Sequence, residues 1–164
     1  LLTGWATGEG ATVTKTTGTY DNANAGSGKT VTVTLVDADY TANVGTTLSN
    51  YTLPTSISGA VGSISKAALT ATGNSLSVNY NGANQSVSGF TVSGLKGIDT
   101  VDSLSSVSAS GATGKNAGSY TNTVTAGVET NYTVSTVNGS LAISKANAAV
   151  TFVHVNIGNA RRGN

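Results

Sequence analysis

The chemistry open to this chain rests on seven acids, eight lysines and arginines, one histidine and no cysteine. Acyl transfer by a serine or cysteine needs a base held by an orienting group. His154, the single histidine, falls in an alternating tail from Val150 to Val155 with no acid beside it in sequence. It reads as a strand residue, and the chain is expected not to be an enzyme. Without cysteine there are no disulfides, thiolate metal sites or thiol redox chemistry. Asp37 and Asp39, with Asn43, could offer oxygens to Ca²⁺, which takes about six to eight. Asp99 and Asp102 form a second such pair. No loop has the acid density of a calcium site, so the first pair reads as a polar strand-to-loop transition and the second as a turn cap. No catalytic residue, metal site or cofactor is expected.

Other groupings have an attractive and a plain reading. Gly26-Ser27-Gly28-Lys29-Thr30 resembles a phosphate loop, but the Walker spacing is not met and Lys29 opens a strand rather than a helix. It is expected to be a turn. Rows of hydroxyls at Thr30, Thr32 and Thr34 and at Thr121, Thr123 and Thr125 suggest an ice-binding face, yet such faces need many short coils stacked in register. A solvated strand face is the reading adopted. Tyr20, Tyr51, Tyr80, Tyr120 and Tyr132 are expected to pack on strands with their hydroxyls on backbone, rather than to stack sugars. Lys66 and Lys145 could enter isopeptide crosslinks, but no partner asparagine and acid can be assigned, so both read as exposed lysines. Arg161-Arg162 reads as a loose end.

Strands must position all of these. Val31, Val33 and Leu35 alternate with Thr30, Thr32 and Thr34, as a strand with one dry face requires. Tyr120, Val124 and Ala126 alternate with Thr121, Thr123 and Thr125, and Leu141 and Ile143 with Ser140, Ala142 and Ser144. Threonine suits the wet face because its β-branch fits the pleat and its hydroxyl meets water. Asn81-Gly82, Asn138-Gly139, Gly26-Ser27-Gly28 and Gly114-Lys115-Asn116 supply residues that tolerate positive φ, and so predict turns. Ile98, Val101 and Leu104 are three apart and predict at most one short helix, capped by Asp99 or Thr100.

Composition narrows the function class. Charged residues are 9% of the chain, against roughly 25% in an average soluble protein, and the net charge is +1. Such a surface exerts no field that would steer nucleic acid or an anionic membrane. A hydrophobic share of 38% argues for packed strands rather than a disordered Ser/Thr/Gly-rich chain. No apolar run reaches the roughly 20 residues of a membrane span, and Leu1-Leu2-Thr3-Gly4 lacks the pattern of a signal peptide. A chain without an initial Met is expected to be a fragment of something longer.

One set of landmarks occurs twice in the same order. Asn24-Ala25-Gly26-Ser27, Asn50-Tyr51-Thr52 and Ile64-Ser65-Lys66-Ala67 return as Asn116-Ala117-Gly118-Ser119, Asn131-Tyr132-Thr133 and Ile143-Ser144-Lys145-Ala146. Residues 68 to 146, with Tyr80-Asn81-Gly82, Ser88-Gly89-Phe90 and the second landmark set, resemble an MBG-type repeat of large bacterial filamentous-haemagglutinin-like surface proteins. Tyr20-Asp21-Asn22, Asn24 to Val33 and Leu48 to Leu53 are similar to the second half of the companion YDG-type repeat. The opening Tyr-Asp-Gly-Thr of that repeat is missing, so Leu1 to Thr17 begin inside a module. The resemblance implies export by a two-partner or related secretion route, service within an adhesin, and no catalytic residue.

The expectations are therefore specific. The fold is all-β, two tandem small antiparallel modules of immunoglobulin-like sandwich type, with a β-grasp-like sheet crossed by a helix at 98 to 104 as the alternative. Residues 1–66 form a partial YDG-type repeat, 67–146 an MBG-type repeat, and 147–164 the start of a next repeat or a loose tail, with the junction near Lys66. The function is that of a structural stalk repeat of a secreted or cell-surface bacterial adhesin; the alternative is direct adhesion through loops Asp37 to Leu48 or Gly94 to Gly111. The partners are neighbouring repeats of the same polypeptide, with host-cell glycan or protein under the alternative, and neither nucleic acid nor membrane insertion. The location is extracellular or on the bacterial cell surface.

Overall fold

The computed structural model describes residues 2–151. His154 and Arg161-Arg162 lie outside the described residues, as does the end of the alternating segment from Ala148 to Val155. Its described part, Ala148 to Thr151, is not a strand. The strands are β1 (Ala11–Val13), β2 (Thr19–Tyr20), β3 (Gly26–Thr34), β4 (Tyr40–Ala42), β5 (Ser56–Ile64), β6 (Ala67–Gly73), β7 (Leu76–Asn79) and β8 (Gln85–Val87). They continue as β9 (Phe90–Ser93), β10 (Val107–Ala109), β11 (Ala112–Gly114), β12 (Gly118–Asn122), β13 (Val124–Ala126), β14 (Tyr132–Val137) and β15 (Gly139–Ser144). The chain is all-β, in several small sheets that are mostly antiparallel, consistent with a sandwich-like fold. The helix anticipated at 98 to 104 shrinks to a single 3₁₀ turn, Val101–Ser103. So short a segment cannot offset the cost of nucleating a helix, and the β-grasp alternative loses its crossing helix. No helix among the described residues is long and apolar enough to cross a membrane.

Two compact units divide the chain. One gathers residues 2–70 with Val92–Ser106 and Ala126–Ser135; the other gathers Ala71–Thr91, Val107–Thr125 and the residues from 136 on. A further sheet has the order β14-β6-β9.

In the first unit, β3 is the middle strand of the sheet β2-β3-β5. Its threonines are exposed and stand opposite small or hydroxyl residues: Thr30 faces Ala60, Thr32 faces Ser58 and Thr19, and Thr34 faces Ser56. Lys29 and Leu35 are buried and Val31 and Val33 half-buried on the other side, the expected alternation. Gly26-Ser27-Gly28 is not a turn, contrary to expectation. It lies inside β3, where Gly28 at φ 65° makes a bulge that shifts the register with β5 between Ser27 and Lys29. Glycine allows the left-handed backbone that such a bulge requires. Beyond it, Lys29 joins the face of Val31 and Val33, and its ammonium reaches Asn22 Oδ1 (2.5 Å) and the Asp21 carboxylate (3.2 Å).

In the second unit, β15 is central in the order β12-β15-β7, antiparallel to β12 and parallel to β7. The parallel pair was not anticipated, because nothing local marks it; parallel strands are joined by long crossovers rather than by turns. Leu141 and Ile143 bury one face of β15 against Ala112, with Val78, Val87 and Tyr120 packed around them. Full burial of one such leucine is worth about 1.5–3 kcal/mol. Asn138-Gly139 is also not a hairpin turn, since β14 and β15 belong to different sheets. It is a corner where backbones meet: a Cβ at Gly139 would stand 2.2 Å from the Asn74 carbonyl oxygen and 2.5 Å from that of Gly73. Close approach, not positive φ, is what selects glycine there.

Candidate functional site

Three polar assemblies involve the residues singled out in the sequence. The first is a pair of tyrosine clasps in the first unit. Ala6 to Glu9 form a turn closed by Glu9 N–H to the Ala6 carbonyl (3.0 Å), with Gly8 at φ 84°. Tyr51 Oη accepts from Ala6 N–H (3.2 Å) and donates to the Glu9 carboxylate. Lys96 to Asp99 repeat the device: Asp99 N–H meets the Lys96 carbonyl (3.1 Å), Gly97 sits at φ 59°, and Tyr132 Oη accepts from Lys96 N–H (3.0 Å) and donates to Asp99 Oδ2 (2.5 Å). In both clasps the hydrogen bond to the carboxylate favours the protonated phenol and raises the tyrosine pKa. Tyr20 and Tyr120 place their hydroxyls on backbone, at the Ser63 and Asn116 carbonyls, whereas Tyr51 and Tyr132 each share theirs between a backbone N–H and an acid.

The second assembly brings the two landmark sets together within the first unit. Asn131 Oδ1 accepts from Ala25 N–H (2.9 Å), and its Nδ2 donates to Asn24 Oδ1 (3.2 Å). The Asn131 carbonyl accepts from Ala67 N–H (2.9 Å), and Lys66 Nζ donates to the Glu129 carbonyl oxygen (2.7 Å). Lys66 thus ends on a main-chain carbonyl rather than a side-chain amide. Glu129 is buried, and its carboxylate takes Ser106 N–H and Ser106 Oγ, each at 2.7 Å. The Ser106 hydroxyl foremost, then its N–H, holds this acid below the usual carboxylate range.

The third lies in the second unit. Asn122 is fully buried and accepts from Gly111 N–H (2.9 Å) while donating to the carbonyls of Asn74 (3.1 Å) and Gly89 (2.9 Å). Every polar atom of its amide has a partner, as burial demands.

Of the acids weighed as calcium ligands, Asp39 and Asp99 have structural partners. Asp39 accepts from Val36 N–H (2.9 Å) at the start of the 3₁₀ turn Asp37–Asp39, with Lys15 at 3.8 Å. Asp99 belongs to the Tyr132 clasp, and Asp102 sits in the first turn of Val101–Ser103. Among the described residues no three His, Asp or Glu side chains converge as metal ligands would. Asp21, hydrogen-bonded by Lys29, is held below its ordinary pKa.

Sequence reasoning missed the clasps and Asn122. Two signals were present for the clasps: a four-residue segment with an internal glycine and a closing acid, Ala6-Thr7-Gly8-Glu9 and Lys96-Gly97-Ile98-Asp99, precedes each Asn-Tyr-Thr. No pattern flagged Asn122, whose neighbours in sequence are ordinary strand residues.

The first unit also holds a cavity of about 580 Å³, lined in part by Trp5, Tyr51, Leu53, Pro54 and Ile57. The Trp5 and Tyr51 rings pack with centroids 4.5 Å apart at 55°.

Residues 1–59 match the model of the YDG domain, and residues 69–142 that of the MBG domain, YGX type. No curated protein and no solved structure matches the chain. The two matched segments and the two compact units are different partitions of the same residues: Val92–Ser106 and Ala126–Ser135 fall within the MBG match and gather with residues 2–70. The two matches together support the reading of the chain as repeat domains, similar to the YDG type in residues 1–59 and to the MBG type in residues 69–142.

Proposed function

We propose that this chain is a structural repeat of a secreted or cell-surface bacterial adhesin, which spaces a binding domain from the cell and has neighbouring repeats of the same polypeptide as its partners. The observation that carries the reading is how the acids are used. Glu9, Asp21, Asp39, Asp99 and Glu129 all accept hydrogen bonds from the chain's own residues, so these acids are engaged within the chain rather than offered to a ligand. Exposed faces such as Thr30, Thr32 and Thr34 stay hydrated and present few sticky or cleavable sites. The matches to YDG and MBG domains agree with a repeat context. Glycan arrays and host-cell binding assays on the chain test it, and no saturable binding is expected. Saturable binding that disappears when Asp37 to Leu48 or Gly94 to Gly111 is replaced overturns it.

A second reading, direct recognition of host glycan or protein, is favoured by the cavity beside Trp5. An aromatic pair at the edge of an apolar cavity suits the face of a sugar ring. Under that reading, Trp5→Ala abolishes glycan-array signal while loop replacement leaves it.

A further inference from the structure

We infer that the tip formed by Asn116, Ala117, Lys145 and Ala146 is a docking socket for a following module, which it would hold through the asparagine of an Asn-Tyr segment. The inference rests on the repeat reading above and deepens it by naming the atoms that join repeats.

The argument is one of register. In the first unit, Gly26 stands opposite Ile64, so Asn24-Ala25, just before β3, lie beside Ser65-Lys66 just past β5. That tip holds Asn131: Ala25 N–H and Asn24 Oδ1 take the side-chain amide, Ala67 N–H takes the Asn131 carbonyl, and Lys66 Nζ takes the carbonyl two residues earlier. In the second unit, Gly118 stands opposite Ile143. Asn116-Ala117 therefore lie beside Ser144-Lys145 in the same alignment, with Ala146 where Ala67 stands in the first copy. Asn116, Ala117, Lys145 and Ala146 are all exposed. The ladder to β7 does not reach this far, because its last bond runs from Tyr80 N–H to the Ser144 carbonyl. All four groups that hold Asn131 have counterparts here: an amide N–H, an asparagine oxygen, a lysine ammonium and a second N–H. A primary amide side chain matches the set because it accepts and donates at once. By correspondence with Asn131, the occupant is an asparagine, presented with its own carbonyl and that of the residue two before.

Amide hydrogen exchange tests this. In the chain as it stands, Asn131→Ala is expected to speed exchange at Ala25 by about tenfold or more, which reports the junction already formed. In an extended chain, with a second copy of residues 68–146 following Ala146 directly, Ala117 is expected to slow by a similar factor. Alanine at the appended copy's counterpart of Asn131 should restore fast exchange. An unchanged Ala117 rate beside a folded appended copy overturns the inference. So does an appended copy that fails to fold on the tip, since this is the surface it is held to need. Glycan binding by a chain with a protected Ala117 defeats the spacer reading alone; an unprotected Ala117 with no ligand binding defeats the socket alone.

Discussion

Asn122→Ala removes a buried side chain that ties three backbone segments of the second unit together. Gly111 N–H loses its acceptor, and the carbonyls of Asn74 and Gly89 lose their amide donors. The Gly89 carbonyl keeps the Asn74 N–H at 3.1 Å, so the loss there is partial. Leaving a buried backbone group unsatisfied costs about 1–3 kcal/mol, and two are exposed to that cost here, so a destabilisation of about 3 kcal/mol is expected. For a chain of this size that corresponds to a fall in Tm of roughly 6–12 °C. Urea unfolding followed by circular dichroism should show a lower midpoint, and Gly111 should lose exchange protection before the β12 ladder does. Asn122→Asp distinguishes hydrogen bonding from shape. Its carboxylate still accepts from Gly111 but faces two carbonyls that it can satisfy only by carrying a proton. Its folded-state pKa is therefore raised, and the variant is most stable below the unfolded value near 3.9, losing stability as pH climbs toward the folded value. An Asn122→Ala variant within about 0.5 kcal/mol of the parent, or an Asn122→Asp variant whose stability ignores pH in that window, refutes the assignment of this amide as the unit's polar anchor.

Gly139→Ala should cost more than about 3 kcal/mol or prevent folding of the second unit, because its Cβ would stand 2.2 Å from backbone oxygen. Gly82→Ala, at φ 80° in open space, should cost only about 1 kcal/mol in the same thermal assay. Asp21 and Glu129 have lowered folded pKa values, so their contribution is fully present above the unfolded carboxylate range and is lost as pH falls through the folded values. Glu129→Gln should therefore flatten the acid limb of a stability–pH profile. Tyr51 and Tyr132 have raised values, and their contribution is present below the ordinary phenol pKa and lost as pH rises through the folded ones. Ultraviolet titration should find Tyr51 and Tyr132 ionising late, with the second of these late components lost in Tyr132→Phe.

What the sequence made legible follows from locality. Alternation located β3, β12 and β15 because side chains on a strand report their face every second residue. The duplicated landmarks marked Asn24, Lys66 and Asn131 without revealing that the first set grips the second, since that contact joins residues 106 apart. Turn chemistry misled at Gly28 and Gly139 because glycine answers two demands: positive φ at the first, close backbone approach at the second. The parallel partner of β15 and the role of Asn122 were out of reach for one reason. Each depends on segments distant in sequence arriving at one place, and neither leaves a periodic trace.

The two clasps show how a chain so poor in charge stays specific. A tyrosine hydroxyl that must donate to a carboxylate and accept an N–H fixes both the rotation of its ring and the turn that supplies the two partners. One acid per clasp is enough, because the neighbouring N–H and the glycine-bearing turn hold that acid in place. If the clasps orient each Asn-Tyr-Thr segment, then Tyr132→Phe should loosen not only its own turn but also the hold of Asn131, next in sequence, on Ala25. Faster exchange at Ala25 in that variant, without loss of the β12–β15 ladder, is the expected signature. Exchange at Ala25 unchanged by Tyr132→Phe would mean that the asparagine seats itself and the clasp serves only the turn.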